Sequence, residues 1–199
     1  MLQVQKITGR TLCSNIYVLS CKGNTSCFLV DIGDYALVRN QLLEFSEVKG
    51  VLLTHAHFDH IAGINDLLSE YPDLVVYTNE IGKEMLFSEK LNLSKYHEQP
   101  ILYNGDKIHL IRDGEIIQLF EDEKITAMFT PGHNDSCITY YDKRHIFTGD
   151  SYIEGSPVVT KLPGGKKALA ERSIQKILEL CNERLVCAGH DVERWRSIF

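Results

Sequence analysis

The segment Thr54-His55-Ala56-His57-Phe58-Asp59-His60 places four potential metal ligands directly after a predicted strand. Residues 48–54 are mostly apolar and have the pattern of a short buried strand. Residues two apart in an extended backbone point to the same side, so His55 and His57 can converge on one metal ion. The sequence therefore predicts a metal position at the carboxyl end of this strand.

Asp59 and His60 are predicted to serve a second, neighbouring position. The apolar residues that follow them have helical spacing: Ile61, Ala62, Ile64, Leu67 and Leu68. Asp59 and His60 would then form the first turn of a helix, turned away from the histidine pair. One loop thus supplies ligands to two adjacent metal positions.

Three further strand-like runs end at potential ligands. Residues 127–130 precede His133, residues 145–148 precede Asp150, and residues 185–188 precede His190. Imidazole binds zinc, iron and similar metals, and a carboxylate can bridge two cations and offset their repulsion. The mixed set favours a dinuclear site, with Asp150 as the candidate bridge.

Five motifs in this order resemble those of the metallo-β-lactamase superfamily. They are Val30-Asp31-Ile32-Gly33, the segment from His55 to His60, Thr130-Pro131-Gly132-His133, Thr148-Gly149-Asp150 and Ala188-Gly189-His190-Asp191. The resemblance spans most of the chain and implies an α+β fold, the four-layered αβ/βα sandwich of that superfamily. Patterning alone predicts only a mixture of helices and strands.

The resemblance also implies a ligand for each metal position. It assigns His55, His57 and His133 to the first metal, Asp59, His60 and His190 to the second, and Asp150 to both. Two divalent ions are expected, zinc foremost, with iron or manganese as alternatives. Asp31 matches a position that supports the ligands through hydrogen bonds, although an Asp before Gly at a strand end is also an ordinary turn former.

The function implied is hydrolysis without a protein nucleophile. A hydroxide shared by two metals would attack an acyl carbonyl, with Asp59 orienting it as the catalytic residue. The motif spacing is similar to short glyoxalase II-like metallo-hydrolases, so a thioester or related ester is the expected substrate. The chain ends soon after His190, with no room for the helical domain that binds glutathione in full-length glyoxalase II. Residues 151–156 also depart from the cysteine- and glycine-rich segment expected there.

Several other activities share this fold and similar ligands. A mononuclear-iron persulfide dioxygenase is the main alternative, and a non-catalytic metal-binding module is a further one. A lactonase would have a tyrosine where this chain has Ile153, and secreted β-lactamases have an export signal that the amino terminus does not show. Flavodiiron proteins use glutamate at the position of His57.

Substrate contacts are predicted from the connection after Asp150. Basic residues surround the segment Leu162-Pro163-Gly164-Gly165, and such a helix start can hold a carboxylate or phosphate. The alternative is a turn followed by a solvated basic helix end. Tyr152 could line the same pocket or pack beside it. The basic residues concerned are Lys161, Lys166, Lys167 and Arg172.

Composition predicts one domain over residues 1–199, and the resemblance implies a small-molecule substrate. The net charge of −6 argues against nucleic acid as a partner. No apolar stretch reaches the roughly 20 residues needed to span a bilayer, so we expect a cytoplasmic protein without a membrane partner. The six cysteines form no CxxC pair and are expected to be free thiols. No pattern indicates an oligomeric state.

The remaining pattern predicts strands at residues 15–20, 26–30 and 75–78. Helices are expected around residues 37–45, 80–87 and 168–180. His97, His109 and His145 fall outside every motif and are not predicted as ligands.

Overall fold

Two sheets and five α-helices make up the part of the chain that the structure, a computed structural model, describes: residues 1–191. The first sheet has the strand order β1-β2-β3-β4-β5-β6 and the second β11-β10-β9-β8-β7. The strands are β1 (Leu2–Thr8), β2 (Asn15–Cys21), β3 (Ser26–Val30), β4 (Glu47–Leu52), β5 (Val75–Thr78), β6 (Ile108–Leu110), β7 (Ile116–Phe120), β8 (Glu123–Phe129), β9 (Ile138–Tyr141), β10 (His145–Gly149) and β11 (Leu185–Ala188).

The helices fill the connections between strands. They are α1 (Tyr35–Leu42), α2 (Phe58–Ile61), α3 (Ile64–Glu70), α4 (Glu80–Leu86) and α5 (Lys167–Cys181), with a 3₁₀ turn at Ser94–Tyr96. The parallel pairs β3–β4, β4–β5 and β5–β6 need such crossovers, whereas β1–β2 and β2–β3 are antiparallel neighbours.

Alternation along the strands separates two apolar cores. In β2, Ile16 and Val18 face a core shared with α1 and α3, while Tyr17 and Leu19 face a core shared with the second sheet. Helix α5 lies against β10 of the second sheet. The layers are therefore helices, sheet, sheet and helix, which confirms the predicted αβ/βα sandwich.

The predicted strands and the helices at residues 80–87 and 168–180 are confirmed within a few residues. The helix expected around residues 37–45 is shorter, because it ends at Leu42. Leu43 follows it with 60% of its surface exposed, while Phe45 packs against the core from beyond the helix. The apolar residues of this short turn have the spacing of a further helical turn, so the sequence pattern predicted a longer helix.

No helix within residues 1–191 has both the length and the hydropathy required to cross a membrane. The six cysteines are unpaired, as predicted. The prediction of one domain over residues 1–199 includes residues 192–199, which lie outside the described part.

Candidate metal centre

The candidate centre lies at one edge of both sheets, where four strands end. His55 and His57 follow β4, and helix α2 carries Asp59 and His60 immediately afterwards. His133 follows β8, Asp150 follows β10 and His190 follows β11. Parallel pairing of β10 with β11 brings the last two ends together. The structure thus unites all seven predicted ligands from both halves of the fold.

The first donor group consists of His55, His57 and His133, whose ligand atoms lie within 4.8 Å of one another. Nδ1 of His57 is 2.9 Å from Nε2 of His133. All three residues are buried, at 3% exposure or less. Two imidazole nitrogens this close require a proton or a cation between them, because their lone pairs would otherwise repel.

The second donor group consists of Asp59, His60 and His190, also within 4.8 Å of one another. Nε2 of His190 lies 3.4 Å from both Oδ2 of Asp59 and Nε2 of His60. Helix α2 begins at Phe58, so its first turn directs Asp59 and His60 toward this group, as the sequence predicted.

Asp150 contacts both donor groups. Its Oδ2 lies 3.6 Å from Nε2 of His133 and 3.3 Å from Nε2 of His190, and its Oδ1 lies 3.5 Å from Nε2 of His60. Burial would raise the pKa of this carboxyl, but His190 and His60 hold the pKa well below its usual range. A carboxylate in this position can serve two cations at once.

Two buried atoms of the centre have no hydrogen-bond partner among residues 1–191: Nε2 of His55 and Oδ1 of Asp150. Buried polar atoms are almost always satisfied, so these two are suited to bind an ion. Both belong to the same candidate group with His60. Nitrogen and carboxylate donors suit zinc, iron and manganese, and the residues present therefore fit divalent metals.

Oxygen acceptors outside the centre fix three of the imidazole rings. Nδ1 of His60 lies 2.8 Å from Oδ2 of Asp31, Nδ1 of His133 lies 2.8 Å from the Val159 carbonyl, and Nδ1 of His190 lies 2.8 Å from the Leu12 carbonyl. An Nδ1–H that donates to oxygen leaves Nε2 as the ligand nitrogen. In each of these rings Nε2 faces the centre.

Asp31 lies beside the centre and has the left-handed backbone angle φ of 57°. In addition to His60, its carboxylate accepts hydrogen bonds of 2.7 Å from the backbone N–H and the hydroxyl of Thr54. The carboxylate thereby connects a ligand to the residue that precedes the histidine pair. This contact fits the supporting role, while the left-handed backbone fits the turn-forming role.

Electrostatics divide the imidazoles into two kinds. Burial and neighbouring imidazoles lower the pKa of His55 well below its ordinary value and that of His57 to about 3. Burial also opposes charge on His60 and His190, but the adjacent carboxylates outweigh it. The pKa of His60 is well above its ordinary value, and the pKa of His190 is raised to about 10. His60 and His190 must therefore release protons when they bind a metal.

Sequence reasoning missed several groups that hold the centre. The carbonyls of Leu12 and Val159 have no sequence signature, because any residue offers one. Ser14 donates a 2.7 Å hydrogen bond to the Asp59 carbonyl. Asn134 has its Nδ2 3.3 Å from Nε2 of His57 and accepts from Ser136. The position of Asn134 directly after a predicted ligand was the one available signal.

A cavity of about 520 Å³ opens onto the centre. Tyr152 is not among the described residues that line it. Lys161 is exposed and does not line it either, and Nζ of Lys166 binds the Asp135 carboxylate at 2.7 and 2.8 Å. The structure thus places Tyr152, Lys161 and Lys166 outside the cavity wall, so their substrate contacts stay predictions. The described residues that line the cavity are Leu12, His57, Phe58, Asp59, Leu93, His133, Asp150, Val159, Leu162 and His190.

The three excluded histidines lie outside the donor groups found among residues 1–191. His109 pairs with Glu115 and His145 with Asp142. The His97 ring lies 3.8 Å from that of Phe58, centroid to centroid.

Similarity to known proteins agrees with this geometry. The profile of the metallo-beta-lactamase superfamily matches residues 11–190. The chain belongs to this superfamily. A relative named hydroxyacylglutathione hydrolase, from Erwinia tasmaniensis, is 30% identical over 166 residues, which are 83% of this chain and 57% of that protein. The chain thus spans little more than half the length of that relative.

Two solved structures share the architecture over most of both chains. The BLEG-1 B3 metallo-beta-lactamase has a TM-score of 0.86 and 27% identity, covering 95% of this chain and 92% of the other. TTHA1623, solved in a di-iron-bound form, has a TM-score of 0.77 and 26% identity, covering 94% and 92%. Membership in the superfamily confirms the resemblance read from the motifs.

Proposed function

We propose that this chain is a metal-dependent hydrolase that holds two divalent ions and cleaves a thioester or a related ester. The observation that carries this proposal is the convergence of two donor groups on the Asp150 carboxylate, which contacts members of both. His55, His57 and His133 would hold one ion, Asp59, His60 and His190 the other, and Asp150 both.

Such ions lower the pKa of a bound water toward neutrality and polarise an acyl oxygen. In the net reaction the water oxygen bonds to the acyl carbon and the carbon–sulfur bond breaks. The electron pair of that bond goes to sulfur, and the thiol and the acid each keep one proton derived from water.

The chain's own residues would position the reactants. Asp59 is buried, with 6% exposure, and its carboxylate faces the same centre as Asp150. Asp59 can accept a hydrogen bond from the attacking water and so fix its direction. The apolar side chains of Phe58 and Leu93, which line the cavity, would exclude other water from the acyl group.

The relative named hydroxyacylglutathione hydrolase supports a thioester as the substrate. TTHA1623 in its di-iron-bound form supports a two-metal site and makes iron a candidate beside zinc and manganese. We also propose that zinc is the foremost metal and that the protein is cytoplasmic. Its substrate is a small molecule, and it has no nucleic-acid or membrane partner.

Hydrolysis of β-lactams is a second candidate, because BLEG-1, named a B3 metallo-beta-lactamase, matches nearly the whole of both chains. The strained amide of a β-lactam needs the same attack on an acyl carbon. The leaving group would then be an amine rather than a thiol.

The test begins with metal-free protein reconstituted separately with zinc, iron and manganese. Each form is assayed with S-lactoylglutathione, S-butyryl-N-acetylcysteamine and nitrocefin, and oxygen uptake is followed with glutathione persulfide. Cleavage of either thioester that depends on metal supports the proposal. Cleavage of nitrocefin alone would favour the β-lactamase. Oxygen uptake with one iron per chain would favour the dioxygenase and overturn the hydrolase.

A further inference from the structure

The cavity beside the candidate metal centre has an apolar wall. Apart from the five ligands His57, Asp59, His133, Asp150 and His190, every lining residue within residues 1–191 is apolar. We call the apolar lining residues the apolar wall. They are Leu12, Phe58, Leu93, Val159 and Leu162. A volume of about 520 Å³ lies in the range of small-molecule sites.

The apolar wall includes two leucines whose backbones are left-handed, with φ of 49° at Leu12 and 67° at Leu93. Glycine or asparagine adopts this conformation at lower cost. Strained residues persist where the surroundings determine them, and they cluster at functional sites. Both of these leucines line the same cavity beside the metal centre.

Hydrogen bonds hold Leu12 to a ligand of the metal centre and hold the loop of Leu93 to another residue of the wall, Phe58. The Leu12 carbonyl accepts from Nδ1 of His190 at 2.8 Å. Beside Leu93, the carbonyl of buried Asn92 accepts a 2.9 Å hydrogen bond from the backbone N–H of Phe58, and the Asn92 side chain accepts another from the N–H of Ser94. The wall is therefore built into the site.

Charge on this cavity also restricts the substrate. No lysine or arginine is among the described residues that line it, and its carboxylates, Asp59 and Asp150, belong to the metal centre. Lys166 is engaged by Asp135. The tripeptide of a glutathione conjugate carries two carboxylates, and a carboxylate that leaves water without a cationic partner is costly.

The following inference rests on the hydrolase proposed above. We propose that the preferred substrate is a thioester or ester with an alkyl acyl chain and an uncharged leaving group. The alkyl chain contacts Leu12, Leu93 and Leu162. Glutathione conjugates are then poor substrates of this chain.

The first test compares S-butyryl-N-acetylcysteamine with S-butyrylglutathione, which share the acyl group and the thioester bond. We expect kcat/KM at least about tenfold higher for the uncharged thioester. Lengthening the acyl group from acetyl to butyryl should raise kcat/KM by up to about fourfold for each methylene that the wall buries. Equal or better cleavage of the glutathione thioester, or no gain with chain length, would overturn the inference.

Variants that keep the backbone test the wall itself. Leu12→Asn and Leu93→Asn place a polar side chain on a backbone that asparagine tolerates. Each should fold and abolish most of the chain-length dependence, mainly through KM. Ile116→Ala, which removes an exposed apolar side chain on the edge strand β7, is the matched control and should keep that dependence. Folded asparagine variants with an unchanged dependence would refute the role of the wall.

A binding experiment separates this inference from the proposed function. S-hexyl-N-acetylcysteamine and S-hexylglutathione are thioethers that no hydrolase can cleave at sulfur by this reaction. Calorimetry on metal-free and metal-loaded protein should show tighter binding of the uncharged thioether. Preference for S-hexylglutathione would overturn the inference and leave the hydrolase intact, whereas absence of both thioester and ester cleavage would overturn the hydrolase whatever the thioethers show.

Discussion

At the scale of single residues, the ligand nitrogen of a histidine depends on what binds its other nitrogen. Asp31, the Val159 carbonyl and the Leu12 carbonyl determine this for His60, His133 and His190. The predicted ligands could be recognised in the sequence because imidazoles and carboxylates at strand ends are distinctive. The two carbonyls could not be recognised, because they become acceptors only when distant segments meet.

The variant Asp31→Asn tests whether Asp31 supports the metal ligands or only forms a turn. Asparagine tolerates the left-handed backbone and can still accept from the Thr54 N–H, but it removes the negative charge beside His60. We expect metal affinity to fall about 10–100-fold. Competition with a fluorescent chelator measures this affinity. Unchanged affinity would leave Asp31 as a turn former only.

At the scale of elements, helix and strand ends position the site, and these ends were the harder part to predict. Apolar residues near Leu43 suggested a longer α1, but that helix ends at Leu42. The strand cores were predictable because β-branched and leucine residues recur in short runs. Their ends depend on turns such as the one between β9 and β10, where Asp142 accepts hydrogen bonds from two backbone N–H groups.

Asp142→Ala tests that turn through its pH dependence. Burial would raise the pKa of Asp142, but hydrogen bonds from the backbone of Arg144 and His145 lower it below its usual value. A carboxylate whose pKa is lower in the folded than in the unfolded protein stabilises the fold at pH values above its unfolded-state pKa of about 3.9. This stabilisation is lost as the pH falls through its folded-state pKa. We expect the variant to lose about 2 kcal/mol in the free energy of unfolding at pH 7.

The loss caused by Asp142→Ala should shrink as the pH falls through the lowered pKa of the wild-type carboxyl, because protonation removes the charge that accepts these hydrogen bonds. Urea denaturation of both proteins at pH 7 and pH 3.5 measures the difference. A loss that is equal or larger at the lower pH would contradict this account of the turn.

Gly132→Ala tests how α5 packs next to the ligand loop. A Cβ at Gly132 would lie 2.3 Å from the backbone nitrogen of Ala170, and the φ angle there is 145°. We expect the free energy of unfolding to fall by about 2–4 kcal/mol, from strain and overpacking together. Gly23→Ala is the matched control: φ is 83° but nothing lies within 4 Å, so about 1 kcal/mol is expected. Equal losses in the two variants would exclude a packing role for Gly132.

At the scale of the whole molecule, the candidate centre joins the two sheets. His55 and His57 follow a strand of the first sheet, while His133, Asp150 and His190 follow strands of the second. The four-layered arrangement could be inferred from the motifs, because their order matches a known superfamily. The apolar wall could not, since Leu12, Leu93 and Leu162 come from three separate loops.

Removal of metal should therefore weaken the fold as a whole. A ligand present at 100 times its dissociation constant stabilises the native state by about 2.7 kcal/mol, which corresponds to roughly 5–10 °C for a chain of this size. We expect a chelator to lower the thermal midpoint by this amount, and excess zinc to restore it. Calorimetry with and without the chelator measures the shift, and an unchanged midpoint would mean that metal does not couple the two sheets.

Elemental analysis of the purified, zinc-reconstituted protein and of two variants tests whether the chain holds two metal ions. We expect close to two ions per wild-type chain. Asp59→Ala should retain about one ion, because it loses the ion of the second donor group first. His57→Ala should lose the ion of the first donor group. Thioester turnover in both variants should fall by at least about 100-fold, beyond the effect of losing a supporting residue. One ion or none in the wild-type chain, or full metal content and turnover in both variants, would contradict the two-metal site.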